Sequence, residues 1–300
     1  MLSEKTYTIG DVSQQTGVAS VTLRAWERRY GLIKPQRTAK GHRVYNQGNI
    51  QDIQHILSWL NRGVAISKVA TLLASGKSYA AAEPVAEQWL VEQNKLLSSI
   101  TELNKPGVNQ MLDRLNKSVP FITLCEYVYH PLQATLAQRW QRQPLGYQLE
   151  QQLWQQSWQR QTLIMTLRTE KQKPQGHCYL ASLDLNGPSW GYYLLHSLLL
   201  QSGLRVNAFG KVEDLAGLTR LHNNAEWPLI VYADQRLEQT AFKPLAKLGT
   251  LWKDDIICLG LASDIHHEQL TSLGIACVGG HSSNAWQSAA MKTWLEKTKR

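Results

Sequence analysis

Apolar positions recur every three or four residues from Thr8 to Tyr30, and Gly17 and Gly31 each interrupt the pattern. This periodicity predicts two short helices, each stopped by a glycine that tolerates a left-handed backbone. Thr8 stands where an N-cap belongs. Val18, Leu23 and Trp26 are expected to face the first helix, leaving Ser20, Thr22, Arg24 and Arg28 on the outer face of the second. Two short extended pieces follow around Lys40-Gly41, a hairpin pattern, and then two more helices over 49–60 and 65–73 joined by Asn61-Arg62-Gly63. A polar break, Ser75-Gly76-Lys77-Ser78, ends this region.

The next stretch predicts helices over 84–103, 108–117, 121–143 and 147–169, punctuated by Pro106-Gly107, Pro120 and Pro144. A four-helix bundle is their simplest packing. Trp154 and Trp158 lie four apart on the last helix and read as core. Beyond a polar linker at 170–176 the period changes. Apolar runs at 177–184, 204–209, 229–233, 256–261 and 275–278 read as buried strands, alternating with helices near 190–202, 213–223, 237–248, 264–273 and 284–298. Strict alternation implies a parallel sheet covered on both faces, as in flavodoxin-like folds. The expected fold class is therefore multidomain, α and α/β. It has an N-terminal winged helix-turn-helix (1–76), a helical bundle (83–170) and a flavodoxin-like domain (177–300).

Charge sharpens this division. Residues 1–78 hold eleven Lys or Arg against four Asp or Glu, whereas the whole chain has a formal charge of +9, so the remainder is nearly neutral. A basic module on a neutral body is the electrostatic footprint of a nucleic-acid binder. The N-terminus lacks a secretion signal and no apolar run approaches a bilayer's thickness, so the expectation is a cytoplasmic protein without a membrane partner. The four cysteines are scattered, which argues against a disulfide framework or zinc ribbon.

Within the basic module the second helix suits a major groove. Arg24 is the candidate reader of a base edge, with Ser20, Thr22 and Arg28 beside it. Lys34, Arg37, Lys40, His42 and Arg43 on the hairpin, with Tyr45 and Arg62, complete the candidate DNA contacts. The run from Val21 to Leu32, with Pro35, Arg37-Thr38 and Gly41-His42-Arg43-Val44-Tyr45, resembles the DNA-binding domain of the MerR family. The tryptophan variant ending in Arg28-Arg29-Tyr30-Gly31 is similar to the branch holding MlrA-like regulators and cobalamin-dependent CarH-like photoreceptors. That resemblance implies a homodimer or higher oligomer on a two-fold-symmetric operator or promoter. It also implies RNA polymerase or a regulatory protein as further partners, and biofilm or stress genes as targets.

The same branch implies a cobalamin module over about 83–280, and here the residues depart from it. The family bundle places a Trp, nine residues, then Glu-His over the cofactor. Trp140 and Glu150 keep that spacing, but Gln151 replaces the histidine. The lower-ligand loop corresponds to Asn186-Gly187-Pro188-Ser189-Trp190-Gly191, with Pro188 at the ligand position. A proline has no nitrogen lone pair for cobalt, and Trp190 is expected to crowd the space. The expectation is a degenerate sensor with no cofactor, read by a protein partner or another ligand; the alternative is a cobalamin-dependent light-sensing repressor. The Gly279–Ser283 turn is weighed as an anion site and His266-His267 as a metal site, and an ordinary turn and a solvated helix start are preferred. No Gly-x-Gly-x-x-Gly nucleotide-binding motif occurs, and catalysis is not expected.

Overall fold

The computed structural model describes residues 6–61, 64, 66–74, 86–224, 227–279 and 289–298. The chain forms two compact units, Met1–Leu153 and Trp154–Arg300, divided within a helix.

In the first unit α1 (Ile9–Thr16) starts at a capping box: Thr8 Oγ1 accepts the Asp11 N–H at 3.3 Å, and the Asp11 carboxylate accepts the Thr8 N–H at 2.7 Å. The Thr8 N–H and then the Thr8 hydroxyl, both donated to the Asp11 carboxylate, hold it below its ordinary range. Gly17 (φ 70°) and Gly31 (φ 61°) adopt the left-handed conformation that ends α1 and α2 (Ser20–Tyr30). The chain then turns through β1 (Gln36–Arg37) and β2 (Arg43–Val44), an antiparallel pair, before α3 (Gln47–Asn61) and α4 (Ile66–Ala74). Val12, Val18, Leu23, Trp26, Ile53, Ile56, Leu60 and Val69 are fully buried and form one core.

The remaining helices of this unit are α5 (Ala86–Thr101), α6 (Lys105–Ser118), α7 (Phe121–Leu124) and α8 (His130–Gln141), with a π-helical turn at Cys125–Tyr129 between the last two. Pro131 explains the turn. Lacking an N–H, it cannot donate to the Tyr127 carbonyl four residues back. The His130 N–H reaches back five residues to Cys125, and Gln93 Nε2 on α5 satisfies the Tyr127 carbonyl at 2.7 Å. α9 (Tyr147–Thr169) then runs from the first unit into the second.

The second unit is a five-stranded parallel sheet in the order β4-β3-β5-β6-β7. Its strands are β3 (Gly176–Ser182), β4 (Leu204–Lys211), β5 (Leu229–Tyr232), β6 (Ile256–Leu259) and β7 (Ala276–Val278). α10 (Trp190–Gln201), α11 (Thr219–Asn224), α12 (Phe242–Trp252), α13 (Leu261–Ile265), α14 (His267–Ser272) and α15 (Ala289–Thr298) alternate with them. The expected α/β alternation and parallel sheet are thus present. The strands β5 and β6 are buried at every position, as strands covered on both faces must be. The chain reverses direction across the sheet between β3 and β5, and there Asp184 and Asp234 meet: Asp184 Oδ1 accepts the Asp234 N–H at 2.7 Å. Gly191 is needed at this spot, because a Cβ there would lie 1.8 Å from the Tyr232 hydroxyl oxygen.

Candidate nucleic-acid interface

The start of α2 and the β1–β2 hairpin carry most of the expected contacts. Arg24 and Arg28 are exposed and one turn apart, so they share the outer face of α2. Lys34, Arg37, Lys40 and His42 are also exposed, while Ser20 is half-buried. The hairpin turn is closed by Thr38 N–H to His42 O at 2.9 Å and Gly41 N–H to Thr38 O at 2.8 Å, with Gly41 at φ 81°. Arg62 lies outside the described residues.

Two expected contact residues are instead core. Thr22 is only 2% exposed, not on the outer face. It lies one turn before Trp26 and shares its inward face. That face is wider than α1 alone would require, because α2 also packs against α6. Trp26 Nε1 donates to the Ser118 carbonyl at 2.9 Å, across 92 positions of sequence, and so ties α2 to the end of α6. Tyr45 is the second correction. Its backbone pairs with Tyr7 in both directions at 2.8 and 2.9 Å, and its ring is fully buried. The hydroxyl has no hydrogen-bond partner among the described residues, and burial pushes the phenol up.

Glu27 is a functional residue that sequence reasoning passed over. Its carboxylate binds Arg37 Nη2 at 3.0 Å and also Arg43 Nε. Arg43 is therefore half-buried in an ion pair, not free against solvent as the hairpin reading assumed. The geometry gives Glu27 one task, which is to fasten both hairpin strands to α2. A signal was available: Glu27 is the lone acidic residue between Asp11 and Asp52.

The residues of the degenerate cofactor pattern divide between the units. In the first, Trp140 Nε1 donates to Glu150 at 2.9 Å, and Arg139 donates to the same carboxylate at 2.8 and 2.9 Å. The Arg139 bonds dominate in holding the Glu150 carboxyl below its usual range. Gln151 is half-buried beside it in sequence. In the second unit, the Pro188 carbonyl accepts Gln155 Nε2 from α9 at 2.7 Å. Trp190 stacks edge-on against Trp158, ring centres 6.0 Å apart, and Trp158 stacks in turn on Trp154. Trp154 and Trp158 are buried core, as expected. The start of α10 is held internally: Ser189 Oγ and Tyr232 Oη each donate to Asp234 Oδ2 at 2.8 Å.

Elsewhere, His266 Nε2 accepts the Leu237 N–H at 3.1 Å, a structural bond, and burial pushes this imidazole down. Among the described residues no group of three or more His, Cys, Asp or Glu is arranged to hold a metal, and residues 280–283 of the weighed anion turn lie outside them. No described helix is long and apolar enough to cross a membrane.

Residues 7–76 match the family model described as MerR HTH family regulatory protein. The chain is 37% identical over 130 residues to the HTH-type transcriptional regulator MlrA of Escherichia coli strain K12, covering 43% of this chain and 51% of that protein. It is 28% identical over 228 residues to the HTH-type transcriptional repressor CarH of Myxococcus xanthus, covering 71% of this chain and 75% of that one. The mercuric resistance operon regulatory protein of Bacillus cereus matches over 67 residues at 30% identity, covering 22% of this chain and 51% of that protein. The chain spans about half the length of the MlrA proteins it matches. Residues 7–76, with their glycine-stopped helix pair and the hairpin fastened to the second helix, form a MerR-type helix-turn-helix domain, and the chain is similar to the transcriptional regulators MlrA and CarH.

Proposed function

We propose that this protein is a sequence-specific, DNA-binding transcriptional regulator and not an enzyme. The observation that carries the reading is the exposed cationic surface of Arg24, Arg28, Lys34 and Lys40, lying inside the segment that matches the MerR family. In this reading α2 enters the major groove of an operator and the hairpin acts as a wing along the phosphates. Arg24 reads a base edge. A homodimer presents two such readers to a two-fold-symmetric site, and RNA polymerase or a regulatory protein is the further partner. The similarity to MlrA supports a role in the same kind of circuit, and residues 83–170 and 177–300 serve as bundle and sensor modules.

The sensor works without cobalamin. Pro188 offers no lone pair, its carbonyl is occupied by Gln155, and Asp234 holds the Ser189 hydroxyl beside it, so the residues do not fit the vitamin. The similarity to CarH over 71% of the chain favours the alternative of a cobalamin-dependent, light-sensing repressor. Co-elution of adenosylcobalamin with the protein after mixing in the dark is the result that selects it. The regulator reading is tested by fluorescence anisotropy on duplexes from the chain's own promoter region across a salt series. The expected result is salt-dependent binding with a preference for one duplex. Absence of any duplex binding at low ionic strength refutes it.

A further inference from the structure

Trp26 stands on the side of α2 opposite to the one expected to read DNA. With about 100° between successive helical residues, it lies roughly 160° from both Arg24 and Arg28. Those arginines are exposed, whereas Trp26 is fully buried. Its ring belongs to the core of α1–α4, yet the indole N–H leaves that core and ends on the Ser118 carbonyl of α6, 2.9 Å away. Buried polar groups are nearly always paired. The acceptor that satisfies this one comes from outside the DNA-reading module.

The end of α6 is held in turn. Asn116 Oδ1 accepts the Tyr129 hydroxyl at 2.8 Å, a bond between two buried side chains. The Tyr129 ring lies 6.0 Å from that of Phe121. Tyr129 closes the π-helical turn, whose Tyr127 carbonyl is bonded by Gln93 of α5. Leu115, Ser118 and Val119 are buried as well. A run of packed and hydrogen-bonded groups therefore joins the back of α2 to α6 and on to α5.

Aim is what such a buttress controls. Hydrogen bonds to base edges weaken steeply as their angles bend, so a reading helix must enter the groove at one tilt. Support from behind fixes that tilt before DNA arrives and removes the cost of fixing it on binding. We propose that Trp26 is a positioning residue for operator choice: seated on Ser118, it sets the tilt of α2, so that α6 helps to decide which sequence Arg24 reads. This rests on the DNA-reading role proposed above.

The test uses the full chain and a duplex selected by the wild-type protein from a random pool, with an unrelated duplex of equal length as reference. Fluorescence anisotropy gives the affinity of the wild type, W26F and Y129F for both. W26F removes the indole donor and Y129F the bond to Asn116, and neither changes a side chain expected to face DNA. Each should lower the preference for the selected duplex, W26F about tenfold and Y129F a few-fold, with affinity for the unrelated duplex kept within about twofold. A protein that is merely destabilised loses affinity for both duplexes alike and keeps its preference. The Trp26 indole N–H should also stay protected from hydrogen exchange while the selected duplex is bound. The proposal is overturned if W26F keeps the wild-type preference, or if that N–H exchanges in the DNA complex as fast as an exposed indole. If W26F does not fold, Y129F decides by the same criterion. A wild type that selects no duplex refutes the proposed function, and this role with it.

Discussion

Substituting Glu27→Gln is the sharpest probe of how the DNA-facing surface is built. The carboxylate holds two guanidinium groups. Arg37 is 52% exposed, so its pair with Glu27 is screened by water and contributes about 0.2–1 kcal/mol. Arg43 is 20% and Glu27 18% exposed, which places their bond in the charge-assisted range of about 1.5–3 kcal/mol. Glutamine keeps the shape and one acceptor, so the hairpin should lose about 1–3 kcal/mol of local stability. Hydrogen exchange reads this directly. The Thr38 and Gly41 amides, both bonded within the hairpin, should exchange roughly 5- to 150-fold faster. The charge of the trio meanwhile rises from +1 to +2. The salt slope of binding to arbitrary duplex DNA should therefore steepen by up to about one unit while discrimination between sites falls. Unchanged amide exchange together with an unchanged salt slope would show that Glu27 does not fasten the hairpin.

Three further outcomes follow from the same geometry. Arg24→Ala should cost about 1–3 kcal/mol at a single base pair and relax preference there, whereas Lys40→Ala should weaken all duplexes alike and lower the salt slope by about one; equal, uniform losses contradict that division. Trp26→Phe removes the bond to the Ser118 carbonyl, and a thermal melt should show destabilisation of about 1–3 kcal/mol, with an unshifted midpoint speaking against the α2–α6 tie. Asp184 is buried, and burial raises its folded-state carboxyl pKa above the ordinary aspartate value, so the native state holds the proton more tightly than the unfolded chain. Stability from this group is then full at low pH and falls as pH rises through the raised folded value. Asp184→Asn should gain stability at pH 7 and flatten that part of the pH profile in denaturant titrations; a loss at every pH refutes the assignment.

What could be read from sequence was local. The α1–α2 pair was legible because Gly17 and Gly31 stop both helices and the apolar spacing fixes the buried face. The strands of the second unit were legible as short apolar runs, although β6 ends at Leu259 and not at 261, because Gly260 turns the backbone to φ 90°. The failures were non-local. Thr22 was misplaced because α2 packs against α4 and α6 as well as α1, contacts that no period in residues 8–31 encodes. Tyr45 looked like a hairpin contact because its ring joins the core of α1–α4 and its backbone pairs with the distant Tyr7. The π-helical turn depends on Gln93 as well as on Pro131, and Glu27 drew no attention because its two arginine partners lie 10 and 16 residues ahead.

The stitching of the Asn186–Gly191 loop has a mutational consequence. A histidine placed at position 188 would still have its main-chain carbonyl held by Gln155, and Asp234 would still hold the Ser189 hydroxyl. The course of this loop is thus set by side chains outside it, so a single substitution within the loop leaves its backbone anchored where it is.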